Sequence, residues 1–296
     1  MNFAITGIAG FVGGTLARLL APDGQVIGFY STSLPHDCAA AHLRQASLEN
    51  AAECAALDLT SLSAEVMIHC AAKLSKRDSG INVVAANAEM TLNGVEIAKR
   101  LGCRLFVNIS STAVYAGPDP DGTREDHAVP GIETYGRSKL VGEAIATYSA
   151  GSAMNVVSLR IPSPQGPGNP HRSMVPMMAK SAREQGFIRV LGDPRRRQSY
   201  LDLRELAEAV RRLSASPGPL RAAYNVASVA SAGNMDVATS IARHCRTPCL
   251  VEDQRTEESA HPEAWNLICD AAATDFDFRP QYQLDDTVKW IMQATA

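Results

Sequence analysis

No stretch of about 18 apolar residues runs anywhere in this chain, so nothing in it reads as a membrane span. Positive charge is not in surplus. The 28 Lys and Arg against 31 Asp and Glu leave a net charge of 28 − 31 = −3, and no basic footprint speaks for nucleic acid. No two cysteines stand in C-x-x-C spacing. The seven present (Cys38, Cys54, Cys70, Cys103, Cys245, Cys249 and Cys269) are odd in number and scattered, which fits reduced thiols in a cytoplasm. Cys245 and Cys249 are four apart, but no second pair completes a tetrahedral set, so no metal is expected. No basic segment precedes an apolar one at the start. Met1-Asn2-Phe3 runs straight into a strand pattern, and no secretory leader is expected. Internal repeats and low-complexity tails are also missing. What remains is a 296-residue chain of ordinary apolar content, long enough for one large α/β unit or about two domains.

The most informative stretch is Tyr135-Gly136-Arg137-Ser138-Lys139, taken with Ser110-Ser111 upstream. Four-residue spacing on a helix puts the phenol and the ammonium on one face. A neighbouring positive charge favours the phenolate, making a group able to exchange a proton with a carbonyl or alcohol oxygen near neutral pH. Ser111 is placed to hold that same oxygen. Y-x-x-x-K alone is a common pattern, and the other segments have to carry the rest of the argument.

Phe3-Ala4-Ile5-Thr6 reads as a buried strand and leads into Gly7-Ile8-Ala9-Gly10-Phe11-Val12-Gly13, followed by helical apolar spacing from Thr15 to Leu20. A glycine-rich turn between strand and helix permits close backbone approach and offers helix N–H groups to a pyrophosphate, so dinucleotide binding is expected there. Residues 25–30 read as the second strand. The position that usually carries a carboxylate for the ribose 2′-OH is filled by Tyr30-Ser31-Thr32-Ser33, which tolerates a 2′-phosphate and tilts the cofactor choice to NADP over NAD.

Residues 43–48 read as a third strand, with Ser47 and Leu48 near an adenine. Residues 65–72 read as a fourth, ending in the small side chains Cys70-Ala71-Ala72, which leave room for a ligand. His69 is expected to be a structural hydrogen-bonder. Residues 87–100 have helical spacing, and 103–109 form a strand delivering Ser110-Ser111-Thr112 at its carboxyl end. Residues 117–130 read as an exposed loop, 134–148 as the helix of Tyr135 and Lys139, and 156–160 as a further strand. Residues 161–170, dense in Pro and Gly, read as a loop opening a substrate portion. Beyond it, helices are expected at 173–185, 205–213, 235–244 and 284–293, and strands at 188–191, 200–203 and 223–227. Met174, Met177 and Met178 are expected in a core. Arg195-Arg196-Arg197 is either a solvated charge run or, with Arg172, a clamp for a diphosphate.

Together these segments resemble the extended short-chain dehydrogenase/reductase superfamily, the NAD-dependent epimerase/dehydratase family, over nearly the whole chain. Thr6-Gly7-x-x-Gly10-x-x-Gly13 resembles its cofactor loop, Ile68-His69-Cys70-Ala71-Ala72 its V-I-H-x-A-A strand, and Asn87 its mid-helix Asn. Ser110-Ser111-Thr112-Ala113-Val114-Tyr115 resembles S-S-x-x-V-Y-G. Leu159-Arg160 with Gly166-Pro167-Gly168, residues 197–207, Tyr224-Asn225-Val226 and Phe278-Arg279-Pro280 resemble its later segments. Departures are Ser163 where Asn is frequent, Gln165 for a common Tyr, and Gln198 where a phosphate-binding Arg is frequent, with Arg197 one residue early.

The resemblance implies a Rossmann-type doubly wound parallel sheet with a smaller C-terminal α/β substrate lobe. Residues 1–160 would form the dinucleotide-binding domain, with 200–228 returning to it, and 161–296 the lobe. It implies Ser111, Tyr135 and Lys139 as the catalytic set. Cofactor contacts are expected at Gly7, Gly10, Phe11, Val12, Gly13, Tyr30, Ser31, Thr32, Ser47, Leu48, Cys70, Ala71, Ala72, Asn87, Ile109, Tyr135, Lys139 and Ile161. Substrate contacts are expected at Thr112, Ser163, Arg172 and Arg197. The substrate implied is a nucleotide-diphosphate sugar, and the protein a cytoplasmic homodimer with no membrane or nucleic-acid partner.

Thr112 and Ala113 stand where the family's 4,6-dehydratases carry Asp and Glu, and Thr112 where its 3,5-epimerases carry Cys. That leaves oxidation and reduction at one carbon, a 4-ketoreductase or a 4-epimerase. An NADPH-dependent reductase of a non-nucleotide ketone or aldehyde, and a non-catalytic NADP sensor, remain as alternatives.

Overall fold

The computed structural model describes residues 1–34, 38–74, 80–152, 154–170, 173–256 and 264–294. In chain order it begins with β1 (Phe3–Thr6), α1 (Phe11–Leu20), β2 (Val26–Tyr30), β3 (His42–Gln45), α2 (Ala51–Ala55) and β4 (Val66–His69). α3 (Gly80–Arg100), β5 (Leu105–Ser111), α4 (Thr134–Ala150), β6 (Asn155–Ile161), β7 (Ser163–Gln165) and α5 (Met174–Gln185) follow. The chain continues through β8 (Phe187–Val190), β9 (Arg197–Gln198), β10 (Tyr200–Asp202), α6 (Leu203–Ala215), β11 (Ala223–Asn225) and β12 (Ala232–Gly233). It closes with α7 (Asn234–Arg243), β13 (Leu250–Asp253), α8 (Asp270–Phe276) and α9 (Leu284–Ala294).

Seven strands form one parallel sheet in the order β11-β6-β5-β4-β1-β2-β3. The first strands are apolar throughout because both faces of the sheet are covered. Alternation assigns each residue to a face. Phe3, Ile5, Val66, Ile68, Val107 and Leu159 pack with Leu16 and Leu20 of α1 and Leu206 and Val210 of α6. Ala4, Met67 and Phe106 pack with Val95 and Ile97 of α3 and Ala146 of α4. Burial of each large apolar side chain contributes about 1.5–3 kcal/mol, which is why the sheet and these helices form one cooperative layer stack. The architecture is the doubly wound, Rossmann-type parallel sheet. Strand order reverses between β1 and β4, so the crevice between Thr6 and His69 at their carboxyl ends is the switch point where such sheets accept ligands.

A third cluster, from α5, β8, α7 and α9, is separate from the sheet's faces and includes Val175, Ile188, Val237 and Ile291. Met178 lies in it and Met174 packs against it, but Met177 is exposed, against the expectation of three core methionines. Other boundaries moved as well. α3 starts at Gly80, seven residues before the helical spacing was legible. The third strand covers only 42–45, with Ala46 and Leu48 turning into the core instead. The loop expected over 161–170 contains β7, which pairs in parallel with β10. No helix among the described residues is long and apolar enough to cross a membrane.

Candidate active site

The glycines of the first turn answer to contacts. Gly7 adopts φ +66°, and a Cβ there would sit 2.8 Å from the Ala71 backbone nitrogen, so only glycine lets this turn lie against the end of β4. A Cβ on Gly13 would collide with the Gly7 carbonyl oxygen. Gly10 precedes α1 in extended conformation and, as a glycine, brings no capping side chain of its own. The result is a backbone cradle at a helix N-terminus, which suits the pyrophosphate of a dinucleotide.

On the other side of the switch point, α4 lies across the end of β5. Lys139 is buried. Its Nζ donates to the Ile109 carbonyl at 2.8 Å and stands 5.6 Å from the Tyr135 ring centroid. Gly136 sits where any Cβ would strike the Ala113 carbonyl, so α4 can press its first turn onto residues 112–114. Ser111 Oγ accepts from the Ala113 N–H at 3.2 Å, which leaves its O–H free to donate elsewhere.

A cavity of about 450 Å³ joins the two halves. Of the residues singled out from the sequence, Gly7, Gly10, Phe11, Val12, Gly13, Cys70, Ala72, Ile109, Ser111, Thr112, Tyr135, Lys139, Ile161 and Ser163 line it. Ser110, singled out beside Ser111, lines it too, while sequence reasoning missed Leu74, Pro162, Pro164, Asn169 and Ser173. Four of these come from the Pro/Gly-rich segment and the start of α5, where only the tertiary fold says which residues face the cavity. Lys139 is the one charged side chain among the described lining residues, and no Asp, Glu or His is among them. Cys70 is the cysteine brought to the cavity, and it comes from β4 rather than from the catalytic strand. Burial pushes its thiol up to about 12, so it is not a thiolate base.

The other expected residues lie elsewhere. Tyr30, Ser31 and Thr32 are at the carboxyl end of β2, away from the cavity, with Ser31 and Thr32 exposed. Leu48 is in the core and its carbonyl accepts from Asn93. The Ser47 N–H donates to Glu53. The Ala71 N–H donates to Thr6 Oγ1. Asn87 is buried, with Oδ1 accepting from the Lys73 N–H at 2.7 Å and Nδ2 donating to the Lys73 carbonyl and to Ser138 Oγ. Because Ser138 Oγ donates in turn to the Tyr135 carbonyl, Asn87 ties β4's exit to the turn of α4 that carries Tyr135. Arg197 is not among the cavity residues. Its guanidinium is 3.3 Å from Asp236 and donates to the Ser231 carbonyl, while Arg195 is paired bidentately with Asp193. Arg172 lies outside the described residues. Among those described, no group of three or more His, Cys, Asp or Glu is placed to hold a metal.

His69 is buried between Thr6 Oγ1 (2.9 Å from Nδ1) and Thr91 Oγ1 (3.3 Å from Nε2) and stacks on Phe106. Desolvation, with Lys139 adding to it, lowers its pKa to about 3, so it is a neutral structural group. An unfolded histidine protonates near its ordinary value while the folded one does not. Stability therefore falls as pH drops from about 6.5 toward 3, by up to ~1.4 kcal/mol per unit. Urea unfolding of wild type and His69→Asn across that range should show the gap between them changing with pH. Parallel profiles would contradict the assignment.

A buried polar network beneath the cavity was not foreseen. Ser110 Oγ donates to Glu143 Oε1 at 2.6 Å, and Arg160 donates to both carboxylate oxygens of Glu143 at 3.1 and 2.9 Å. Arg160 also reaches the Tyr115 hydroxyl and the Glu125 carbonyl. Tyr115 donates to Asn225 Oδ1 at 2.6 Å. Burial alone would lower Arg160's pKa, but Glu143 outweighs it and holds the guanidinium charged.

A glycine cradle at the switch point of a doubly wound sheet, joined in one cavity to a Ser, a Tyr and a Lys, defines a pyridine-nucleotide enzyme of the short-chain dehydrogenase/reductase kind. The sequence profile described as the NAD dependent epimerase/dehydratase family matches residues 3–227, and the chain belongs to that family. Among curated relatives, a dTDP-glucose 4,6-dehydratase of Actinoplanes sp. is 24% identical over 214 residues, 70% of this chain and 66% of its own length. A UDP-glucuronate 4-epimerase of Thermodesulfobacterium geofontis is 24% identical over 223 residues, 69% of each. The chain thus spans about two thirds of the length of these relatives. Among solved structures, MoeE5 in complex with UDP-glucuronic acid and NAD has a TM-score of 0.81 at 19% identity, covering 100% of this chain and 99% of that one, which is a likeness of fold.

Proposed function

We propose that this enzyme transfers hydride at a single carbinol or carbonyl carbon of a nucleotide-diphosphate sugar, working as an NADPH-dependent 4-ketoreductase. The observation that carries the reading is the chemical content of the cavity. It holds Ser111, Tyr135 and Lys139 and, among the described residues, no carboxylate or imidazole. Eliminating water across two carbons needs an acid and a base besides the tyrosine. Thr112 and Ala113 supply neither, although one relative is a 4,6-dehydratase. The protonated Cys70 thiol is no substitute base.

The residues present fit a dinucleotide. Gly7 and Gly13 keep the cradle clear of Cβ atoms, Gly10 at the start of α1 has no side chain of its own to fill it, and Ala72 leaves space at β4. When bound, the nicotinamide supplies the hydride exchange. The chain's own groups do the rest. Tyr135 delivers its phenolic proton to the substrate oxygen as that oxygen gains charge. Ser111, with its lone pair engaged by Ala113, directs its O–H to the same oxygen. Lys139, anchored on Ile109, stands beside the Tyr135 ring. The stretch Tyr30-Ser31-Thr32, with no carboxylate to repel a 2′-phosphate, supports NADPH.

The test is to incubate the enzyme with 4-keto-6-deoxy nucleotide sugars and NADPH, and separately with UDP- and dTDP-hexoses without added cofactor. Cofactor oxidation in the first arm is expected, with tighter binding of NADPH than NADH. Interconversion of 4-epimers in the second arm would make it an epimerase. Release of a 4-keto-6-deoxy sugar from an unmodified hexose would overturn the one-carbon reading.

A further inference from the structure

We infer that Glu143 and Arg160 are positioning residues that set the reach between Ser111 and Tyr135, acting through the hydroxyl of Ser110. Tyr135, Lys139 and Glu143 stand at i, i+4 and i+8 on α4, so they share one face of the helix. That face is attached to β5 at two consecutive residues, by Lys139 Nζ on the Ile109 carbonyl and by Glu143 Oε1 on Ser110 Oγ. The two attachments lie one turn apart, about 6 Å along the helix axis. A helix held at one point can roll or slide on its strand, and one held at two cannot. The next turn on the same face carries Tyr135, and the next residue of the strand is Ser111.

The second attachment holds because Glu143 cannot turn away. Arg160 occupies both of its oxygens, and Arg160 is itself held by the Tyr115 hydroxyl and the Glu125 carbonyl. Ser110 and Arg160 are register partners on neighbouring strands, so both sit against the same stretch of α4. The residues quoted for the family resemblance around Ser110, Arg160 and Asn225 meet in this one buried network. Of this network only Ser110 reaches the cavity lining, while Glu143 and Arg160 stand outside it, and what they supply is geometry.

The deciding variant is Ser110→Ala in the full chain. It removes the link to β5 and leaves the Glu143–Arg160 pair intact, so the fold is kept. A displacement of about 1 Å at a reacting group can cost ~10²-fold, so kcat should fall about 10- to 100-fold while KM and cofactor Kd stay within about twofold. Adding Ser110→Ala to the double variant Glu143→Leu with Arg160→Met should lower kcat no further, because that variant has already removed the acceptor of the Ser110 hydroxyl. The crystal structure of Ser110→Ala should show the Tyr135 hydroxyl displaced relative to Ser111. The kinetic arm rests on the proposed reaction, but the structural arm does not. If wild type turns over no nucleotide sugar, that reaction fails while the displacement still decides the positioning. An unmoved Tyr135, a wild-type kcat, or a kcat loss matched by equal losses of Tm and cofactor binding would overturn the inference.

Discussion

Tyr135→Phe is expected to lower kcat by at least ~10²-fold, the usual scale for loss of a general acid, with cofactor affinity near wild type. Phenylalanine keeps the ring that packs beside Lys139 and removes only the hydroxyl. Lys139 retains its bond to the Ile109 carbonyl, and the cradle of Gly7 to Gly13 does not involve Tyr135. Steady-state kinetics on a 4-keto nucleotide sugar and cofactor titration by fluorescence would separate the two quantities. Retention of most of the activity would remove Tyr135 from the chemistry. A parallel loss of cofactor binding would instead make it a structural residue of the cradle.

The second large effect concerns stability. Arg160→Ala should destabilise the protein by about 3–5 kcal/mol, because it leaves the Glu143 carboxylate in the interior without its cation. The pair is well sheltered, with side-chain exposures of 8% for Arg160 and 14% for Glu143, so solvent offers little compensation. The substitution also strips partners from the Tyr115 hydroxyl and the Glu125 carbonyl. Replacing both members, as Glu143→Leu with Arg160→Met, should recover much of the loss, since an apolar pair leaves no uncompensated charge. Urea unfolding measures all three variants. A single variant within about 1 kcal/mol of wild type would mean that the ion pair is not a principal support of this sheet edge.

Much of this architecture was legible because its signals are local. Phe3–Thr6 and Val66–His69 are short apolar runs ended by small residues, and a strand buried on both faces must read that way. The turn at Gly7 permits no Cβ, which makes glycine visible in the sequence. α6 has a one-sided apolar pattern that any helix against a sheet needs. Elements that went unread were short or lacked a one-sided pattern. β13 is partly exposed along its length, β7 is three residues inside a Pro/Gly-rich stretch, and α2 and α8 run to only five and seven residues.

By itself, the sequence determined the sheet class, the position of the glycine turn and the single helix face shared by Tyr135 and Lys139, since each depends on residues within a few positions of one another. Only the tertiary structure decided which residues share a cavity and which charges neutralise each other. Nothing in the spacing of Arg197 and Asp236 announces their contact, and nothing near Ser110 announces Glu143, 33 positions away, or Arg160 on the next strand. A polar group excluded from water must find its partner in whatever segment the packing brings beside it. Chain order therefore says which residues have to be satisfied, and the fold says by what.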